Sequence, residues 1–132
     1  MIGMRKNIGV TEALLKLRPQ AQFAVRDDDY DKIEWHSDDV EQPTREEVEA
    51  AIEELKQDEP MENLRQIRDW LLRESDWTQG YDIRQVRGED WCAEWDAYRQ
   101  QLRDITEAGF DLSFNEMDVL IGFELPVPPS KK

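Results

Sequence analysis

Asp27, Asp29 and Asp31 alternate within the run DDDYD, and alternate carboxylates open the ion cage of a calcium-binding helix-loop-helix. The rest of that loop departs from the pattern. Lys32 stands where glycine is needed for the sharp turn, and Asp38 stands where the bidentate glutamate belongs. A charged hairpin turn explains the same residues without an ion. His36 is the only histidine, so a cluster of imidazole ligands is excluded and a Ser-His-Asp triad would have to rest on this single ring. The glycines at 3, 9, 80, 88, 109 and 122 are too scattered to cradle a phosphate. Carboxylate pairs are abundant, yet a short chain built on two long helices offers no sizeable cleft for acid-base hydrolysis. The expectation is a protein that is not an enzyme and that carries neither cofactor nor metal.

Charge narrows the partners. The chain of 132 residues has a formal net charge of -14. Between Arg26 and Glu62, sixteen acidic residues face four basic ones, a local balance of -12. Such a surface repels phosphate backbones and anionic headgroups, so neither nucleic acid nor membrane is expected as a direct partner. No run of about 20 apolar residues is present to cross a bilayer, and the N-terminus lacks the apolar stretch of a signal peptide. Cys92 is the only cysteine; it reads as a buried structural thiol in a soluble, intracellular chain.

The residues left for function are aromatic. Trp70, Trp77, Trp91 and Trp95, four of the five tryptophans, fall within one short region. Each fully buried ring removes on the order of 150–250 Å² from water. Core packing is the plainest use for them, but four indoles exceed what one two-helix hairpin can enclose. Trp77, past a helix end and next to Thr78 and Gln79, is the candidate anchor for a partner chain, because tryptophan is a favoured hot-spot residue. With Trp70, Trp91, Trp95 and Tyr98 these residues make up the candidate partner-binding set.

Several elements must position that set. VTEALLKL, residues 10–17, reads as a short helix ended by Pro19. AQFAVR (21–26) and KIEWH (32–36) alternate apolar and polar residues and predict a β-hairpin that must lean on a helix or a third strand. Thr44 and Glu47 predict a capping box opening a helix whose stripe is Val48, Ala51, Ile52 and Leu55. Pro60 suits the first turn of a second helix, which carries Met61, Leu64, Ile67, Trp70 and Leu71 and runs to about Ser75. After a loop from Asp76 to Gly88, a third helix runs from Glu89 or Asp90 to Gly109. On it Trp91, Trp95, Tyr98, Leu102 and Ile105 share one face about 20 Å long, to be packed antiparallel on the preceding helix. Ser113 and Glu116 spell a further capping box, but Val119, Leu120, Ile121 and Phe123 favour a strand before the extended PVPPSKK end. The fold class is therefore α+β, mainly helical, with a small N-terminal β-hairpin and an antiparallel two-helix hairpin. The expected domains are residues 1–57, the hairpin with its capped helix, and 58–132, the αα-hairpin with an extended proline-rich tail.

R-x-x-R-D-x-L-L at 65–72, S-D-W-T-Q at 75–79 and Y-R-Q-x-L-R-D at 98–104, followed by Gly109-Phe110 and the proline-rich end, resemble the phage tail assembly chaperone-like proteins. The resemblance covers about residues 61–129. The preceding P-T-x-E-E-V-x-A-A-I-x-E-L at 43–55, with the hairpin ending in I-E-W, looks like the front module of such small phage proteins. Beside the resemblance, Arg65, Arg68, Asp69, Asp76, Arg99, Arg103 and Asp104 are spread so that ion pairs between the two helices could fix their register.

The resemblance implies a non-enzymatic assembly chaperone of a tailed bacteriophage. It would form a hetero-oligomer with a trimeric tail-fibre protein in the host cytoplasm, with attachment in the virion left open. A permanent connector or cap on the fibre or baseplate is the rival reading. A third class, an acidic nucleic-acid mimic, would bind a DNA-binding enzyme instead of a fibre.

Overall fold

The computed structural model describes residues 3–130. Their contacts group into two compact units, Lys6–Glu59, and Met1–Arg5 with Pro60–Lys132. The chain is α+β and mainly helical: α1 (Val10–Leu17), β1 (Phe23–Val25), β2 (Ile33–Trp35), α2 (Arg45–Glu74), α3 (Tyr81–Arg87), α4 (Glu89–Asp104), β3 (Ser113–Phe114) and β4 (Leu120–Ile121). Among the described residues no helix is long and apolar enough to cross a membrane.

In the Lys6–Glu59 unit, β1 and β2 pair antiparallel with Phe23 opposite Trp35 and Val25 opposite Ile33. These four side chains lie on one face, as the period of two requires, and pack on Val10, Ala13 and Leu14 of α1 and on Val48 and Ala51 of α2. The hairpin thus leans on helices. Phe23 and Trp35 stack at 6.0 Å, and the Trp35 indole N–H donates to the Val40 carbonyl at 2.9 Å. The aspartates of the turn all have protein partners. Asp28 accepts from the Val10 amide at the start of α1, Asp29 from the Asp31 amide, and Asp27 and Asp31 pair with Lys32 and Arg45. At the start of α2 the Glu47 amide donates to the Thr44 hydroxyl, as the capping box predicts. The Glu47 carboxylate, however, accepts a hydrogen bond from the Thr44 hydroxyl at 3.2 Å instead of reaching the backbone amide.

One expectation is corrected here. Two helices separated near Pro60 are one helix of 30 residues, with Pro60 inside it. Proline removes one N–H bond to the carbonyl four residues back and crowds that carbonyl, a cost of about 3 kcal/mol. The helix persists because good helix formers surround the proline and because each half is anchored: Val48 and Ala51 before it, and Leu64, fully buried, after it.

In the other unit, Leu64 of α2 packs with Ile105 and Leu120, while Leu71 and Leu72 pack with Trp95, Tyr98 and Leu102 of α4. Low numbers on α2 meet high numbers on α4, so the two helices run antiparallel. The predicted 76–88 loop is a second correction: it holds a 3-10 turn at Asp76–Gln79 and then α3. Gly88, at φ +87°, supplies the left-handed residue that turns α3 directly into α4. Gly109, at φ +75°, lies just beyond a closing 3-10 turn at Ile105–Glu107. Residues 113–121 form no helix from Ser113; β3 and β4 are a small antiparallel hairpin whose turn is held by Asn115, the side chain of which accepts from the amides of Met117 and Val119. Gly122 ends it at φ +93°, where a Cβ would come within 2.2 Å of the Asp111 carbonyl.

Replacing Pro60 by alanine restores one helix hydrogen bond and removes the crowding. The Pro60→Ala chain is expected to gain about 1–3 kcal/mol in urea unfolding followed by far-UV circular dichroism. A midpoint lower than that of the unaltered chain would show that the proline is accommodated without cost.

Candidate partner-binding face

The site grows from the way α2 ends. Ser75 leaves the helix with its amide shared between the Leu71 and Leu72 carbonyls. The Thr78 hydroxyl then donates to the Ser75 carbonyl at 2.7 Å and closes the 3-10 turn. Arg99 of α4 reaches this end. Its Nη1 donates to the Leu72 carbonyl at 2.8 Å and to Ser75 Oγ at 2.6 Å, and its Nη2 pairs with Asp76 at 3.0 Å. A cation at a helix C-terminus meets the unpaired carbonyls and the negative end of the dipole, so both the charge and the donor fork are used. Arg99 is buried, which makes the arrangement strict: the side chain has no comparable alternative in water.

That turn carries Trp77 onto α4. Its ring lies 5.5 Å from Trp95 in an edge-on geometry and 5.8 Å from Trp91, and Trp95 meets Tyr98 edge-on at 5.6 Å. Such tilted contacts suit the ring quadrupoles. Arg87 of α3 covers Trp91, its guanidinium carbon 5.7 Å from the ring centre. The predicted residues therefore separate by depth. Trp95 is 2% exposed and Tyr98 is buried, with desolvation pushing the Tyr98 phenol upward. Trp91 is partly buried, whereas Trp70 and Trp77 keep 44% and 40% of their surface in water. Between them lies a cleft of about 180 Å³ walled by Trp70, Leu71, Trp77, Trp95, Tyr98 and Pro128.

Thr78 is fully buried and its hydroxyl is used within the turn, so it shapes the face without presenting itself to a partner. Gln79 bridges Thr78 and Asp96. The charged residues also divide. Arg99 and Asp76 join α4 to the end of α2. Arg65 pairs one turn back with Glu62, Arg68 with the adjacent Asp69, and Arg103 and Asp104 meet Gln100 of their own helix. Their pairing is local, and register is fixed by Arg99. Sequence reasoning missed Arg84, whose guanidinium grips Asp96 through two bonds of 3.0 and 2.9 Å and holds α3 on α4. Only recognition of YDIRQVR as a helix could have placed it.

A family model described as phage tail assembly chaperone protein matches residues 61–129, just over half of the chain. The chain belongs to that family. The matched span begins in α2 just after Pro60 and includes every residue of the indole cluster, Arg99 and most of the proline-rich end. Neither a curated protein nor a solved structure matches the chain.

Two outcomes follow for the chaperone. Arg99→Ala removes a buried, charged donor from the Leu72 carbonyl and the Ser75 hydroxyl and breaks the pair with Asp76, and is expected to cost about 2–4 kcal/mol in urea unfolding. Arg99→Lys should recover less than half of that loss, since one ammonium cannot reproduce the fork. The Arg84 hydrogen bond holds the Asp96 carboxyl below the ordinary carboxylate range. A depressed value in the folded chain means that the stabilisation is complete above the ordinary range and is lost as pH falls through the depressed value. The protection of α3 amides, corrected for the intrinsic exchange rate, should therefore fall as pH drops through that depressed value, and Asp96→Asn should remove this fall in protection.

Proposed function

We propose that this chaperone binds a tail-fibre protein through the Trp70–Trp77 face, shields apolar surface that the incomplete fibre exposes, and so helps the fibre chains fold and form a trimer in the host cytoplasm. The role is non-covalent and needs no catalytic group. One observation carries this reading: two tryptophans remain about two-fifths exposed beside an aromatic cleft inside the family-matched region. A folded chain gains by burying indole, and rings left at the rim of a preformed cleft fit the role of anchors for a second polypeptide. Family membership supports a phage tail protein as the client; the sequence resemblance narrows it to the fibre.

Exposed apolar surface on a client and exposed indoles on its chaperone both favour self-association. The acidic run from Arg26 to Glu62 opposes this, because like-charged copies repel one another while the complex retains its net charge. Binding is therefore expected to be apolar at its centre and only weakly dependent on salt.

Co-expression tests the reading. Fibre protein made with the chaperone should give several-fold more soluble trimer than fibre made alone. Trp70→Ala combined with Trp77→Ala should lose most of that gain; because both rings are also more than half buried, the comparison is made at a temperature where circular dichroism shows the variant still folded. Equal trimer yields with and without the chaperone would refute the proposal. Stoichiometric chaperone in purified particles, with fibres that fall apart on its removal, would favour a permanent connector instead.

A further inference from the structure

Pro128 of the chain's own tail forms part of the wall of the aromatic cleft, together with Trp70, Trp77 and Tyr98. Val127 and Pro129 line a neighbouring depression with Ala97, Tyr98 and Gln101 of α4. The segment is loosely invested: Leu125 and Val127 remain 44% and 86% exposed. In the cleft wall, the indole N–H of Trp95 is buried without an acceptor among the described residues.

We infer that the cleft recognises a proline-bearing extended segment of the tail protein, and that residues 127–129 of the chaperone's own tail border it as a displaceable stand-in. The inference rests on the aromatic face being the client-binding surface. Three physical features favour this occupant over an amphipathic helix. Proline rings lie well against Trp and Tyr faces, and an extended proline-rich strand is stiff before it binds, so little entropy is lost on docking. Its backbone carbonyls make no internal hydrogen bonds, so it brings acceptors to a cleft in whose wall one indole donor, that of Trp95, lacks one, whereas a helix has already used its carbonyls. The chain itself carries such a segment, with Pro126, Pro128 and Pro129 close together, at this cleft. A tethered occupant acts at an effective concentration of about millimolar, enough to cover Trp70 and Trp77 against weak contacts and still yield to a client that makes further ones.

The test uses the full chain and a fluorescently labelled synthetic peptide of residues 124–132. A second peptide has its three prolines replaced by glycine. In the chain, Pro128→Gly with Pro129→Gly should weaken the resident tail, so that the proline peptide binds at least about 10-fold more tightly than to the unaltered chain. Adding Trp70→Ala should reverse the gain by about 10-fold or more. The glycine peptide should bind neither chain. On the Pro128→Gly, Pro129→Gly chain, excess proline peptide should shift the Trp95 indole N–H resonance back toward its position in the unaltered chain. Equal binding of the two peptides, or no resonance shift at millimolar peptide, overturns the inference.

Fibre capture, measured separately, keeps the two readings apart. Capture that depends on Trp70 and Trp77 but is not competed by the proline peptide overturns the proline-segment inference and leaves the fibre reading standing. Peptide binding of the expected kind without fibre capture does the reverse.

Discussion

Everything on the aromatic side of this chaperone depends on one buried guanidinium. Arg99 collects the Leu72 carbonyl, the Ser75 hydroxyl and the Asp76 carboxylate, and in doing so decides where α2 stops and in which direction the chain leaves it. A helix end has carbonyls with no internal partner, and burying them demands a donor. Because that donor is on α4, the end of one helix is fixed against the middle of the other, and the turn that follows delivers Trp77 onto Trp95. Remove that constraint and Trp77 loses its fixed place against Trp91 and Trp95.

The indole cluster then shows why surplus apolar area is tolerated. Trp95 is sealed and makes edge-on contacts with both Trp77 and Tyr98, so it behaves as core. Trp70 and Trp77 are half in water, which forfeits part of the stabilisation that burying such large rings would give. A chain under selection for stability alone would cover them. Their exposure within the family-matched span is understandable if the missing cover comes from another polypeptide, with the acidic Arg26–Glu62 stretch offsetting the association risk.

Local signals in the sequence were dependable where one element sufficed to satisfy them. The short first helix, the alternating hairpin and the Thr44–Glu47 start of α2 all follow from the nearest few residues. Pro60 misled because a proline's local penalty of about 3 kcal/mol was set against core anchors on either side of it, which a local reading does not weigh. The 76–88 segment misled because YDIRQVR has no strong apolar stripe. It is helical where Arg84 grips Asp96 and where Gly88 allows a tight turn into α4.

The sequence by itself determined the composition of the face: which residues are aromatic, that they recur at spacings of three and four along one helix, that the negative charge lies apart from them, and that motifs resembling a chaperone family run through them. These are properties of neighbours along the chain, and periodicity reports them directly. Only the tertiary structure decided which rings are floor and which are rim, that Thr78 faces inward, that Arg99 rather than the other arginines ties the two helices, and that Pro128 reaches the cleft. Each of these depends on contacts between residues more than about twenty positions apart or on which side of a turn a side chain falls. Burial is set by what packs on a residue from elsewhere, and a single strand of sequence does not contain that neighbour list.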